Sequence, residues 1–159
     1  VQDRDQQERL VCGHIRRLKA TYPDSTIYVA VENNLGMEAS HIGKMVGDMD
    51  IDEVNVVHQV NGKTGVHTTL QSKNIWVYGL QRMLEDRCLS ICESVISRNA
   101  QECVREFERQ LKSFCRIKTM GGSTTFSGKQ AGANDDMVMA TLISVAVLEN
   151  VRKRKMTQL

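Results

Sequence analysis

Three carboxylates stand where residue type and spacing could do chemistry. Glu32 directly follows TIYVAV, a short and almost continuous apolar run over residues 26–31, which reads as a strand buried on both faces of a parallel sheet. Ligands of open α/β sheets sit outside the carboxyl ends of the strands. Glu32 therefore falls at a crevice edge, and Asn33 and Asn34 extend its polar rim. The competing reading is a strand-end carboxylate that caps the helix that follows. Asp135 and Asp136 are adjacent at the start of the most apolar helical stretch in the chain. Acidic residues in a first turn satisfy free backbone N–H groups and the helix dipole. Two are more than capping requires, so one must face water, a cation or a basic partner. Glu32 and the Asp pair together make a donor set for Mg²⁺ or Mn²⁺, hard ions held by a few carboxylates plus waters.

Other motifs carry less. GSTTFSGKQ over residues 122–130 has the look of a phosphate-binding loop, but five residues separate Gly122 from Gly128 and Gln130 stands where that motif needs Ser or Thr. It is rejected as an ATP site. Lys129 still lies in this loop beside the Asp pair, where an ammonium could meet a phosphate; a solvent-facing loop lysine is the alternative. The five cysteines include Cys88 and Cys92, with three residues between them. That spacing is loose for zinc, and Cys103 falls on the apolar stripe of a helix with Phe107 and Phe114. The four histidines form no ligand cluster.

These residues must be positioned by a chain of 159 residues with net charge +2, 25% charged and 41% hydrophobic, values of a globular domain with one core rather than a disordered chain. An odd cysteine count and the absence of any Asn-x-Ser/Thr acceptor fit a reducing compartment. No apolar run approaches the ~20 residues that span a bilayer, and the first residues do not read as a signal peptide. Basic residues gather toward the end: Lys112, Arg116, Lys118 and Lys129, then Arg152, Lys153, Arg154 and Lys155. This tail is either a solvated helix end whose cations suit the dipole or a nucleic-acid contact.

Apolar spacing predicts a helix over residues 4–21 stopped by Pro23, a strand near 26–31, a short helix over 36–47 and a strand over 54–57. A turn-rich link at 61–65 leads to a helix that Ser72 can cap and that carries Ile75, Leu80, Met83 and Leu84 on one face. A short extended piece is expected near 88–91, then a helix with the stripe Ala100, Cys103, Val104, Phe107, Leu111 and Phe114. A Gly/Ser/Thr-rich loop over 121–128 precedes a last helix over 134–152, apolar nearly all round and so expected to be buried. The alternation is that of an α/β fold with a thin sheet.

Three segments in one order carry a resemblance: IYVAVENN over 27–34, GVHTTLQSK over 65–73 and SGKQAGANDDMVMA over 127–140. Together they resemble the C-terminal nuclease domain of herpesvirus-type terminase large subunits, the motors that cut concatemeric viral DNA during packaging. The resemblance covers nearly the whole chain and is most specific in the last segment. It implies an RNase H-like fold, a mixed central sheet with flanking helices, over a single domain 1–159 that lacks the family's first strand and the acidic position on it.

The same resemblance implies a site for two divalent ions, Mg²⁺ or Mn²⁺, in which Glu32 is the second acidic position and Asp136, with Asp135, supplies the third. In such sites two metals ~4 Å apart activate a water and stabilise the leaving 3′ oxygen in hydrolysis of a phosphodiester. Asp135 is expected as a ligand or as the group that orients a metal-bound water. Lys129, Lys73, Arg152 and Lys153 are expected to hold the DNA backbone without sequence preference. Double-stranded viral DNA, other terminase subunits, the capsid portal, a homo-oligomer in the full-length protein and the host nucleus all follow from resemblance. Two rivals remain at this point: another RNase H-like nuclease of resolvase or transposase type, and a non-catalytic module that docks DNA or partner subunits.

Overall fold

The computed structural model describes the backbone of residues 4–34, 38–59, 61–90, 98–128 and 134–157. The chain divides into two compact units, Val1–Thr68 and Thr69–Leu159.

The first unit runs α1 (Arg4–Thr21), β1 (Ile27–Val29), α2 (Glu38–Asp48) and β2 (Val54–Val56). α1 ends as its sequence demands: Thr21 Oγ1 donates to the Arg17 carbonyl, and the Lys19 ammonium donates to the carbonyls of Pro23 and Ser25, both at 2.9 Å. β1 and β2 pair in parallel, Ile27 opposite Val54 and Val29 opposite Val56. α2 lies in the crossover that a parallel pair requires. Ile15, Ala39 and Val46 are buried, and a Glu8–His41 side-chain hydrogen bond ties α1 to α2. The expected burial of β1 on both faces does not hold, because Ile27 and Val29 are half-buried and Tyr28 is 41% exposed. A strand in a two-stranded pair keeps one open side.

The second unit runs α3 (Leu70–Glu85), α4 (Arg98–Ser113), β3 (Cys115–Lys118), β4 (Thr124–Ser127) and α5 (Asp136–Thr157). Thr69, not Ser72, is the N-cap of α3. The Thr69 hydroxyl accepts from the Ser72 N–H while the Ser72 hydroxyl accepts from the Thr69 N–H, a reciprocal capping box. On α3, Leu80 and Met83 are buried, whereas Ile75 is 60% exposed. The segment expected as a loop over 121–128 is instead half of an antiparallel hairpin, Cys115 opposite Ser127 and Lys118 opposite Thr124. Thr124, Thr125 and Phe126 favour a strand, and the tight link closes through Thr119 N–H to Ser123 O at 2.7 Å. The piece expected to be extended near 88–91 shows no strand over its described residues 88–90.

The core of this unit is Leu80, Met83, Val138, Met139, Leu142 and Val145, with Trp76, Phe107, Leu111 and Phe114 packed against it. Val138 and Leu142 are fully buried. α5 is not buried all round, since Leu148 is 41% exposed and Ala140 and Ser144 face outward. Cys103, expected on the apolar stripe of α4, is also exposed. An α/β class therefore holds, but the described strands form two separate pairs rather than one mixed sheet. No helix among the described residues is long and apolar enough to cross a membrane.

Candidate metal centre

Glu32 leaves β1 by way of a backbone bridge. It pairs in parallel with Val66, as Val66 N–H donates to the Val31 carbonyl at 2.7 Å and Asn33 N–H donates to the Val66 carbonyl at 2.8 Å. The segment after Gly65 thus continues the parallel ladder beside the carboxyl end of β1. Only glycine fits at its head. Gly65 has φ +90°, and a Cβ there would stand 2.6 Å from the Val31 carbonyl oxygen, well inside van der Waals contact.

Side-chain amides lock the same junction. Asn33 Nδ2 donates to the Thr64 carbonyl at 2.7 Å, and Asn34 Oδ1 accepts from the Thr68 N–H at 3.2 Å. Asn34 Nδ2 donates to Glu32 Oε1 at 2.9 Å, which orients the exposed carboxylate without a compensating charge. The two asparagines read from sequence as a polar rim are therefore the clamp between two of the resembling segments. Asn33 Oδ1 and Thr68 Oγ1 are buried in it without a hydrogen-bond partner.

In the second unit the two aspartates have separate surroundings. Asp135 is 3% exposed. Its Oδ2 accepts from the Ser127 hydroxyl at 3.1 Å and from the Gly128 N–H at 3.2 Å, tying the end of β4 to the head of α5. Its carbonyl accepts from the Met139 N–H at 2.9 Å, the first intrahelical bond of α5. Asp136, the next residue, is exposed in the first turn. Met137 N–H, an end group that a capping side chain normally satisfies, donates instead to Gln110 Oε1 of α4 at 2.9 Å. Gln110 is itself 3% exposed and donates through Nε2 to Glu106 at 2.9 Å. Bonds from the Arg109 guanidinium and then the Gln110 amide hold the Glu106 carboxyl down at about 2.

The sequence carries one signal of Gln110. It lies three residues after Phe107 and four before Phe114, so it is a polar side chain on an otherwise apolar helical stripe.

Lys73, in the first turn of α3, sets its ammonium 5.3 Å from the centroid of the Phe114 ring. Arg152 and Lys153 are exposed near the end of α5. Lys129 lies outside the described residues, as do Cys92 and Ile91. Among the described residues no group of three or more His, Cys, Asp or Glu side chains is gathered as a set of metal ligands. The donors themselves suit a hard divalent ion: Glu32 and Asp136 are exposed carboxylates, and neither is in a salt bridge among the described residues. Asp135 offers a carboxylate whose Oδ2 is already engaged by two donors. No family model, curated protein or solved structure matches the chain.

Proposed function

We propose that this chain is a divalent-metal-dependent endonuclease domain of a viral DNA-packaging terminase, of RNase H-like fold, acting on concatemeric double-stranded DNA. The observation that carries the reading is local. The segments over 27–34 and 65–73, which resemble that family in sequence, hydrogen-bond to each other directly beside Glu32. The third segment folds back on itself through the Ser127 and Gly128 bonds to Asp135, leaving Asp136 toward solvent.

In this reading Glu32 and Asp136 each ligate Mg²⁺ or Mn²⁺, and Asp135 ties Ser127 and Gly128 to the head of α5. When bound, the ions supply a nucleophilic water at neutral pH and charge stabilisation at the phosphodiester. The chain's own residues do the rest. Asn34 orients the Glu32 carboxylate through Nδ2, and Asp135 anchors the head of α5. Lys73, Lys129, Arg152 and Lys153 attract the DNA backbone by charge, an attraction that weakens steeply with added salt. Other terminase subunits, the capsid portal and the host nucleus belong to the same reading.

Calorimetric titration of Mn²⁺ into the chain and into its Glu32→Ala and Asp136→Ala variants tests it. The reading expects binding by the parent and a loss of about tenfold or more in each variant. A parent chain that takes up no Mn²⁺, or a Glu32→Ala variant with unchanged affinity, would overturn it. DNA binding that is independent of metal and indifferent to both substitutions would point instead to a docking module.

A further inference from the structure

An aspartate at an N-cap ordinarily turns its carboxylate back onto the N–H groups of the second or third helical residue. At the head of α5, Asp135 Oδ2 is directed to Ser127 and Gly128, and the N–H of Met137 is taken up by a side chain from another helix. That side chain, Gln110, is nearly fully buried and both ends of its amide are engaged, by Met137 on one side and Glu106 on the other. Glu106 is in turn gripped by two bonds from Arg109, at 2.7 and 2.8 Å. A buried polar group with both ends satisfied is directional, because any other rotamer leaves an amide unpaired at a cost. The arm therefore sets the position of the peptide that joins Asp136 to Met137.

We infer that Gln110 is a positioning residue for Asp136: its side-chain carbonyl fixes the first turn of α5 and so aims the Asp136 carboxylate. The inference rests on the metal-site reading for its consequence, not for its geometry. Removing the acceptor leaves Met137 N–H free to rotate toward water, and Asp136 then samples directions that do not serve a cation. Groups one step removed from a metal typically change its affinity by about 10- to 100-fold when they are lost.

The experiment pairs two readouts on the parent, Gln110→Met, the milder Gln110→Asn, and the exchanged pair Glu106→Gln/Gln110→Glu. The exchanged pair keeps an acceptor for Met137 and an amide–carboxylate bond between the two positions. The first readout is amide hydrogen exchange at Met137. It should accelerate about tenfold in Gln110→Met and Gln110→Asn, with the amides of Leu142 and Val145 unchanged. The second is Mn²⁺ affinity, expected to fall about tenfold in both single variants and to recover in the exchanged pair.

Unchanged exchange at Met137 overturns the positioning role whether or not metal binds. Accelerated exchange with unchanged Mn²⁺ affinity overturns the link to Asp136. If the parent binds no Mn²⁺, the metal reading fails, and exchange at Met137 still decides whether Gln110 holds the turn. If Gln110→Met does not fold, Gln110→Asn carries both readouts.

Discussion

The two units hold their candidate carboxylates by opposite means. Around Glu32 the restraint is neutral and mostly backbone: a parallel bridge to Val66, amide bonds from Asn33 and Asn34, and a glycine pressed against a carbonyl. Around Asp135 and Asp136 the restraint is charged and side-chain based, running from Arg109 through Glu106 and Gln110 to Met137, with Asp135 itself as a fastener. Among the described residues the first unit buries Ile15, Ala39 and Val46, and backbone bonds and amides hold its strand end. The second presses α5 into a core built on Val138 and Leu142, and uses a buried carboxylate to hold the end of β4. A strand end needs its carboxylate aimed by neighbours along the ladder, whereas a helix start needs its first turn fixed from outside.

The largest effect separating the two is expected at Gly65. Gly65→Ala combines a left-handed φ with a 2.6 Å approach to the Val31 carbonyl, and should cost about 3 kcal/mol in chemical denaturation. Gly62 is the control. It has φ +81° with open space around it, so Gly62→Ala should cost only about 1 kcal/mol. Equal losses at the two positions would show that contact with Val31 contributes nothing to the clamp.

A smaller contrast divides the adjacent aspartates. Asp135→Ala removes an acceptor from the Gly128 N–H and the Ser127 hydroxyl and should lower stability by about 2 kcal/mol. Asp136→Ala, at an exposed first-turn position, should lower it by about 0.5 kcal/mol. A larger loss at Asp136 than at Asp135 in thermal melts would reverse the division of labour drawn between them.

The smallest effect is one of pH. The Glu106 carboxyl is depressed from 4.5 to about 2 in the folded chain. Its contribution to stability is therefore complete above the unfolded value and is lost as pH falls from about 4.5 through about 2. Carboxyl NMR titration should place its midpoint near 2, and Arg109→Met should raise that midpoint toward the ordinary range. A midpoint in the ordinary range with Arg109 intact would break the charged chain at its first link. No such acid window is expected of the neutral amide clamp made by Asn33 and Asn34.

Much of this was legible because it depends on local pattern. Helical spacing and Pro23 delimit α1 at Arg4–Thr21, and the run over residues 26–31 contains β1. The β3–β4 hairpin is not legible this way, since its Thr, Ser and Gly residues read as loop until cross-strand pairing gives them a ladder. Spacing alone does not distinguish the two members of the capping box, Thr69 and Ser72; Thr69 is the N-cap because its backbone is extended.

The sequence by itself determined which residue types could bind a hard cation, that Glu32 follows a strand and that two aspartates begin an apolar helix. These follow from order along the chain. Tertiary structure alone decided that Asp135 turns inward while Asp136 faces out, that Asn33 and Asn34 grip the segment after Gly65, and that Gln110 supplies the missing acceptor at Met137. The reason is physical: a hydrogen bond between residues far apart in sequence leaves no periodic trace, and burial is a property of neighbours that the chain brings together only on folding.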